Sequence, residues 1–123
     1  MPFSTIAHSH PDFVECRYSG RLTHTELVAA AHQVVQLARA HGTCLLLADC
    51  TQLVDGHSII DLYDVADWLA ADQTGPRFTE ALVMPVSPMA SDKVRFWELA
   101  CHNRGLSVRL FNHRDEALSW LLA

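Results

Sequence analysis

The residues best able to do chemistry in this chain are its eight histidines, its four cysteines and a serine that opens a helical pattern. A metal site needs three or four convergent ligands at recognisable spacings. His8 and His10 form an H-x-H pair, and His57 and His113 fall in segments expected to meet at one end of the fold. No HExxH, no CxxC and no paired Cys/His spacing accompanies them, so no metal and no cofactor is expected. His24, His32 and His102 fall on helix faces that look outward. His57 and Ser58, with Asp49 or Asp55, supply the residue types of a hydrolase triad. They lack the G-x-S-x-G elbow that exposes a nucleophile, and adjacent residues rarely present both side chains correctly. There is no Walker A and no G-x-G-x-x-G motif, and with five glycines the chain has no phosphate-cradling loop. The expectation is therefore that the protein is not an enzyme. Cys16, Cys44, Cys50 and Cys101 lie inside expected elements or just past their ends, where they read as small buried hydrophobes.

Four further positions weigh a functional role against a structural one. Ser58 opens a helix, where a phosphate would meet free N–H groups and the positive end of the dipole; as a plain N-cap it would contribute about 1 kcal/mol. Ser58 is thus a candidate phosphosite, with Asp55 and Asp61 nearby opposing the added charge. Trp68 lies on the helical wheel between Asp61, Asp64 and Asp72, opposite Ile59, Ala66 and Ala70. An indole on an acidic outward face suits a partner or dimer contact; the alternative is that it folds over a neighbouring element. Trp97 lies on the flank of its helix beside Val94 and Cys101, with Phe96, Leu99 and Ala100 towards the sheet, suiting a groove, a dimer seam or core packing. Asp49 ends a strand, where it would hold a ligand or cap backbone N–H groups. Asp49, Asp55, His57, Ser58, Trp68 and Trp97 form the candidate partner or ligand surface.

The elements that must position these residues are legible from patterning. The chain of 123 residues, half of them hydrophobic, reads as one domain over residues 1–123 with no repeat and no linker. Nine scattered Lys and Arg residues against a net charge of −5 argue against nucleic-acid binding. No apolar run reaches the length of a membrane span. The N-terminal Met1-Pro2-Phe3-Ser4-Thr5 lacks the pattern of a secretory leader, so a cytoplasmic location and no membrane insertion are expected.

Phe3 to His8 and Phe13 to Ser19 read as strands of an antiparallel hairpin around His10-Pro11-Asp12, the second alternating with period two. Thr23-His24-Thr25-Glu26 is a capping box opening a helix to about His41, with Leu27, Ala30, Ala31, Val34, Leu37 and Ala38 on one face and Gly42 as its stop. Thr43 to Asp49 is a continuous apolar run suited to a central parallel strand. A second helix is expected from Ser58 to Asp72, a strand from Glu80 to Pro85, a third helix from Ser91 to Arg104 and a last strand from Leu106 to Phe111. The final helix is expected over His113 to Leu122, with Asn112 as its cap. The pattern ββαβαβαβα predicts an α/β sandwich: a five-stranded, mostly parallel sheet with an antiparallel edge hairpin and four helices. In such sheets function collects at the carboxyl ends of the strands, here the loops Asp49 to Ser58, Pro85 to Ser91 and Asn112 to Arg114.

The stretch from Arg95 to Phe111, continued by Arg114-Asp115-Glu116-Ala117-Leu118-Ser119-Trp120-Leu121, resembles the C-terminal half of small bacterial STAS-like (SpoIIAA-like) proteins. Tyr18-Ser19-Gly20-Arg21-Leu22-Thr23 and Leu45-Leu46-Leu47-Ala48-Asp49 fit the same pattern, so the resemblance spans nearly the whole chain. It implies the STAS fold and a non-catalytic regulatory or protein-interaction role. Anti-sigma factor antagonists of this type carry a phosphorylated Ser in an Asp-Ser-(Ser/Thr)-Gly motif. The matching place is Asp55-Gly56-His57-Ser58, whose residues depart from that motif around Ser58. The same group resembles Sec14-type lipid-transfer domains, which gives the alternative: a small-molecule or lipid-binding module with a pocket of several hundred Å³ between the second and third helices and the sheet. An uncharacterised enzyme is the third reading. Tryptophans expected near the surface also make a homodimer a candidate state.

Overall fold

The structure, a computed structural model, describes residues 2–55, 59–71 and 75–123. Its elements run β1 (Phe3–His8), β2 (Phe13–Arg21), α1 (His24–His41), β3 (Leu45–Asp55), α2 (Ile59–Ala71), β4 (Thr79–Val83), α3 (Pro88–His102), β5 (Ser107–Phe111) and α4 (Arg114–Leu121). The five strands lie in sequence order across one sheet. β1 pairs antiparallel with β2, and the other three pairings are parallel.

This topology fixes where the helices go. Each parallel step to the next strand needs a right-handed crossover. Because the strands advance in one direction, α1, α2 and α3 are all delivered to the same face. Only α4, which follows the last strand, packs on the other. The period-two pleat sorts the side chains accordingly. Val14 and Cys16 of β2, Leu46, Ala48 and Cys50 of β3 and Leu82 of β4 point under α1 to α3, where they meet Leu27, Ala30 and Val34 of α1, Leu62 and Val65 of α2 and Val94 of α3. Phe13, Leu47, Ala81 and Val83 point the other way, against Ala117 and Leu121 of α4.

Helix α1 begins where its capping box predicts. The Thr23 hydroxyl accepts from the Glu26 N–H, and the Glu26 carboxylate accepts from the Thr23 N–H. It ends at Gly42, whose φ of 73° is the left-handed conformation a glycine adopts without strain.

Several boundaries differ from expectation. β3 does not stop at Asp49 but continues to Asp55, paired with an equally extended β2 through Arg21. The register slips between Arg17 and Ser19 and again between Gly20 and Arg21. Such bulges let a strand carry on while its facing changes, so the alternation that marks a strand is interrupted and the continuation reads as a loop. α3 begins three residues early, at Pro88, because Ser87 caps it and proline is at home in a first turn. β4 ends at Val83 rather than Pro85. The cap of α4 is His113, not Asn112, and its side chain makes no capping bond. The expected cap at Ser58 and helix end at Asp72 lie outside the described residues.

Candidate functional site

At the carboxyl ends of the strands, β3 overruns its neighbour. β4 pairs with it only as far as Val83 opposite Asp49. The last stretch of β3 therefore stands above β4 and carries Val54 and Asp55 towards the start of α3. The Ser87 hydroxyl donates to the Val54 carbonyl at 2.9 Å, and Lys93 of α3 pairs with Asp55 at 2.9 Å. Around this junction sit four exposed apolar side chains: Val54, Ile60 at the start of α2, and Val86 and Met89 at the start of α3. Ile60 is 70% and Val86 86% exposed.

The candidate residues are not gathered into one site. Asp49 lies within β3, where its carboxylate accepts from the Thr51 N–H at 3.0 Å and the Thr51 hydroxyl at 2.6 Å. It holds the backbone where the register slips. Asp55 is at the strand end, paired with Lys93. His57 and Ser58 lie outside the described residues. Trp68 does not project from an open acidic face. It is half-buried against α1, its ring stacked on His32 with centroids 4.2 Å apart. A wheel drawn for α2 alone cannot show that the side beside Asp61 and Asp64 faces the neighbouring helix. His24 of α1 reaching Asp61 at 2.8 Å marks the same seam. Trp97 points inwards, whereas Leu99, expected towards the sheet, is 57% exposed. The helix is rotated from the expected phase because α2 packs beside it, with Tyr63 of α2 edge-on to Phe96.

Trp97 lines a cavity in the place where the alternative reading expects a pocket, beside a carboxyl, Glu80, that sequence reasoning missed. Between the sheet and helices α1 to α3 is a cavity of about 80 Å³. Its walls are mainly aliphatic, with Cys16, Tyr18, Cys50, Glu80, Lys93 and Trp97 as the remaining groups. Glu80 is a carboxyl in a strand paired on both sides, opposite Leu46 and Val108. Its Oε1 accepts from the Trp97 indole N–H at 2.8 Å. Burial raises its pKa from 4.5 to about 7, against a smaller opposing effect of that hydrogen bond. The same burial pushes the Cys16 thiol up to about 12 and raises Tyr18 and Cys50 well above their usual values, so these groups stay neutral at physiological pH and are poor nucleophiles. One sign was available in the sequence: Glu80 is the single charge in a short strand whose next three residues, Ala81 to Val83, are apolar and buried.

A second missed carboxylate lies on the opposite face. Glu15 of β2 is fully buried beneath the start of α4. Arg114 clasps both its oxygens at 2.6 and 2.9 Å, Arg17 donates at 2.8 Å and His8 at 2.9 Å. Burial alone would raise its pKa, but the hydrogen bonds from Arg114, Arg17 and His8 outweigh it and hold the group at about 2. Every lone-pair direction is used, so Glu15 is an anchor for α4 and not a reactive group. All four cysteines are free; Cys16, Cys50 and Cys101 are buried and Cys44 is half-buried. Among the described residues no group of three or more His, Cys, Asp or Glu side chains could hold a metal ion, and no helix is long and apolar enough to cross a membrane.

With this geometry in hand, the fold finds counterparts among solved structures. The crystal structure of an anti-sigma factor antagonist from Mycobacterium paratuberculosis superposes with a TM-score of 0.62 over 98% of this chain and 95% of its own, at 15% identity. An uncharacterized protein of the DUF3478 family with a SpoIIAA-like fold, from Shewanella loihica PV-4, gives 0.58 over 97% and 91%, at 20% identity. No family model matches the chain, and no curated protein matches it. The chain has the STAS-like, SpoIIAA-like fold: a five-stranded mixed sheet with one antiparallel pair and four helices.

Proposed function

We propose that this chain is a single-domain, non-catalytic regulatory module that binds a protein partner through the surface around the end of β3. The observation that carries this reading is the exposed apolar group of Val54, Ile60, Val86 and Met89, gathered where strands of a parallel sheet end. Scattered surface hydrophobes are ordinary, but several together around one junction suit an interface. The fold likeness to an anti-sigma factor antagonist supports the same class. Asp55 belongs to this surface, and His57 and Ser58 follow it in sequence, so phosphorylation of Ser58 is the regulation this reading carries. A bacterial cytoplasm is the setting it implies. Homodimer formation through the same apolar group is its self-association counterpart.

A lipid carrier is less well supported, since a cavity of about 80 Å³ is far below the several hundred Å³ an acyl chain and headgroup would occupy. The test is affinity capture with wild type and a Val86→Asp/Met89→Asp variant, with light scattering on each. A partner, or a dimer, held by wild type and lost in the variant upholds the proposal. Identical capture and identical mass for both would overturn it. Trp68→Ala should leave the interaction intact, because Trp68 packs against α1.

A further inference from the structure

Glu80 occupies a position in β4 between Leu46 and Val108 of the neighbouring strands. A carboxyl buried this way is held only if something satisfies it. Its Oε1 has the Trp97 indole N–H. Its Oε2 makes no hydrogen bond among the described residues, Glu80 is only partly shielded from solvent, and it lines the cavity. The groups facing it are few. β2 contributes Cys16 and Tyr18, β3 contributes Cys50, and α3 contributes Trp97 and Lys93, whose charge is paired with Asp55. The walls supplied by α1 and α2 are aliphatic. The walls thus combine a mostly aliphatic lining with a few polar groups, the Glu80 carboxyl and Tyr18 among them, which is the makeup of a small-molecule site.

We propose that this cavity binds a compact, neutral, mostly apolar molecule whose single carbonyl or hydroxyl oxygen is hydrogen-bonded by the Glu80 carboxyl. The size follows from the volume. An apolar cavity of about 150 Å³ takes a benzene ring, so 80 Å³ holds about three to four non-hydrogen atoms. The polarity follows from the walls: an anionic ligand would find only Lys93, which is already paired with Asp55, and a cationic one would find no charge while Glu80 is protonated. With a pKa raised to about 7, Glu80 is a hydrogen-bond donor in mildly acidic solution and only an acceptor in alkaline solution. A ketone oxygen is therefore held in the first condition and repelled in the second. The site adjoins the surface around Val86 through Lys93, but it does not depend on the interaction reading.

Acetone is a suitable probe, followed by NMR shifts of the protein at about pH 5.5 and about pH 8.5. Saturable millimolar binding is expected, with shifts confined to lining residues such as Leu46, Leu82 and Val94 and affinity about tenfold tighter at the lower pH. Glu80→Gln keeps an amide donor and should bind with no pH dependence. Ala31→Leu on α1 fills the cavity and should abolish the shifts; if that variant does not fold, Glu80→Gln alone decides. No saturable shift in wild type, equal affinity at both pH values, or binding that survives in folded Ala31→Leu would each overturn the proposal.

Discussion

Replacing Glu80 by glutamine should change how the protein's stability depends on pH. The side chain has a pKa of about 7 in the folded protein against 4.5 when unfolded. As pH rises past 4.5 the unfolded chain releases this proton while the folded chain keeps it. Stability therefore falls with pH up to about 7 and stays at the lower level above it. Each pH unit in which only the folded state holds the proton is worth about 1.4 kcal/mol, so the loss reaches about 3 kcal/mol. Glutamine keeps the shape and the hydrogen bond and removes the titration. Urea unfolding followed by tryptophan fluorescence, at steps from about pH 4.5 to about pH 8.5, gives the profile of each protein. Histidines and other carboxylates contribute equally to both and cancel in the difference. The wild-type curve should fall relative to Glu80→Gln by about 3 kcal/mol across this range, with similar slopes against urea. Parallel profiles would refute the reasoning, because they would mean that Glu80 ionises in the folded protein as it does in water.

Three other substitutions or treatments probe the same framework. Trp97→Phe removes the indole hydrogen bond to Glu80, so its carboxyl should titrate still higher in a carbon-detected NMR titration, with a cost of about 1–3 kcal/mol at alkaline pH. Arg114→Met leaves Glu15 buried without its bidentate partner and should cost about 3 kcal/mol near neutrality. Because the pKa of Glu15 is depressed to about 2, its stabilisation is complete above about pH 4.5 and is lost as pH falls through about 2; the variant should unfold at a higher pH in an acid titration. Thiol labelling of the native protein should modify Cys44 first. Cys16, Cys50 and Cys101 should react only at the rate of opening, since burial both shields them and keeps them protonated.

Most of the architecture could be read from the chain because local signals agreed with one another. The Thr23–Glu26 box and Gly42 bracket α1, and the unbroken run Leu45–Ala48 reads as a strand covered on both sides. The failures share one cause, which is that they depend on a neighbour. The extension of β3 past Asp49 exists because a bulged β2 runs alongside it. Trp68 looks free on its own helix and is covered only once α1 is beside it. Leu99, expected towards the sheet, faces solvent in a helix that packs beside α2. The candidate site was legible only as a location, the carboxyl ends of the strands; the apolar group there draws on three separate segments. Glu80 and Glu15 escaped notice because a glutamate in a strand is assumed to face solvent until the layers above and below it are known.

Strands laid down side by side in chain order have a kinetic consequence. Each sheet pairing joins segments adjacent in sequence, so the sheet can grow by successive short closures without a long loop being trapped early. The Arg114–Glu15 clasp is the exception, joining residues 99 apart, and it can form only after the strands between them are in place. Its loss should therefore accelerate unfolding and leave the refolding rate almost unchanged, making that clasp a latch on the finished molecule.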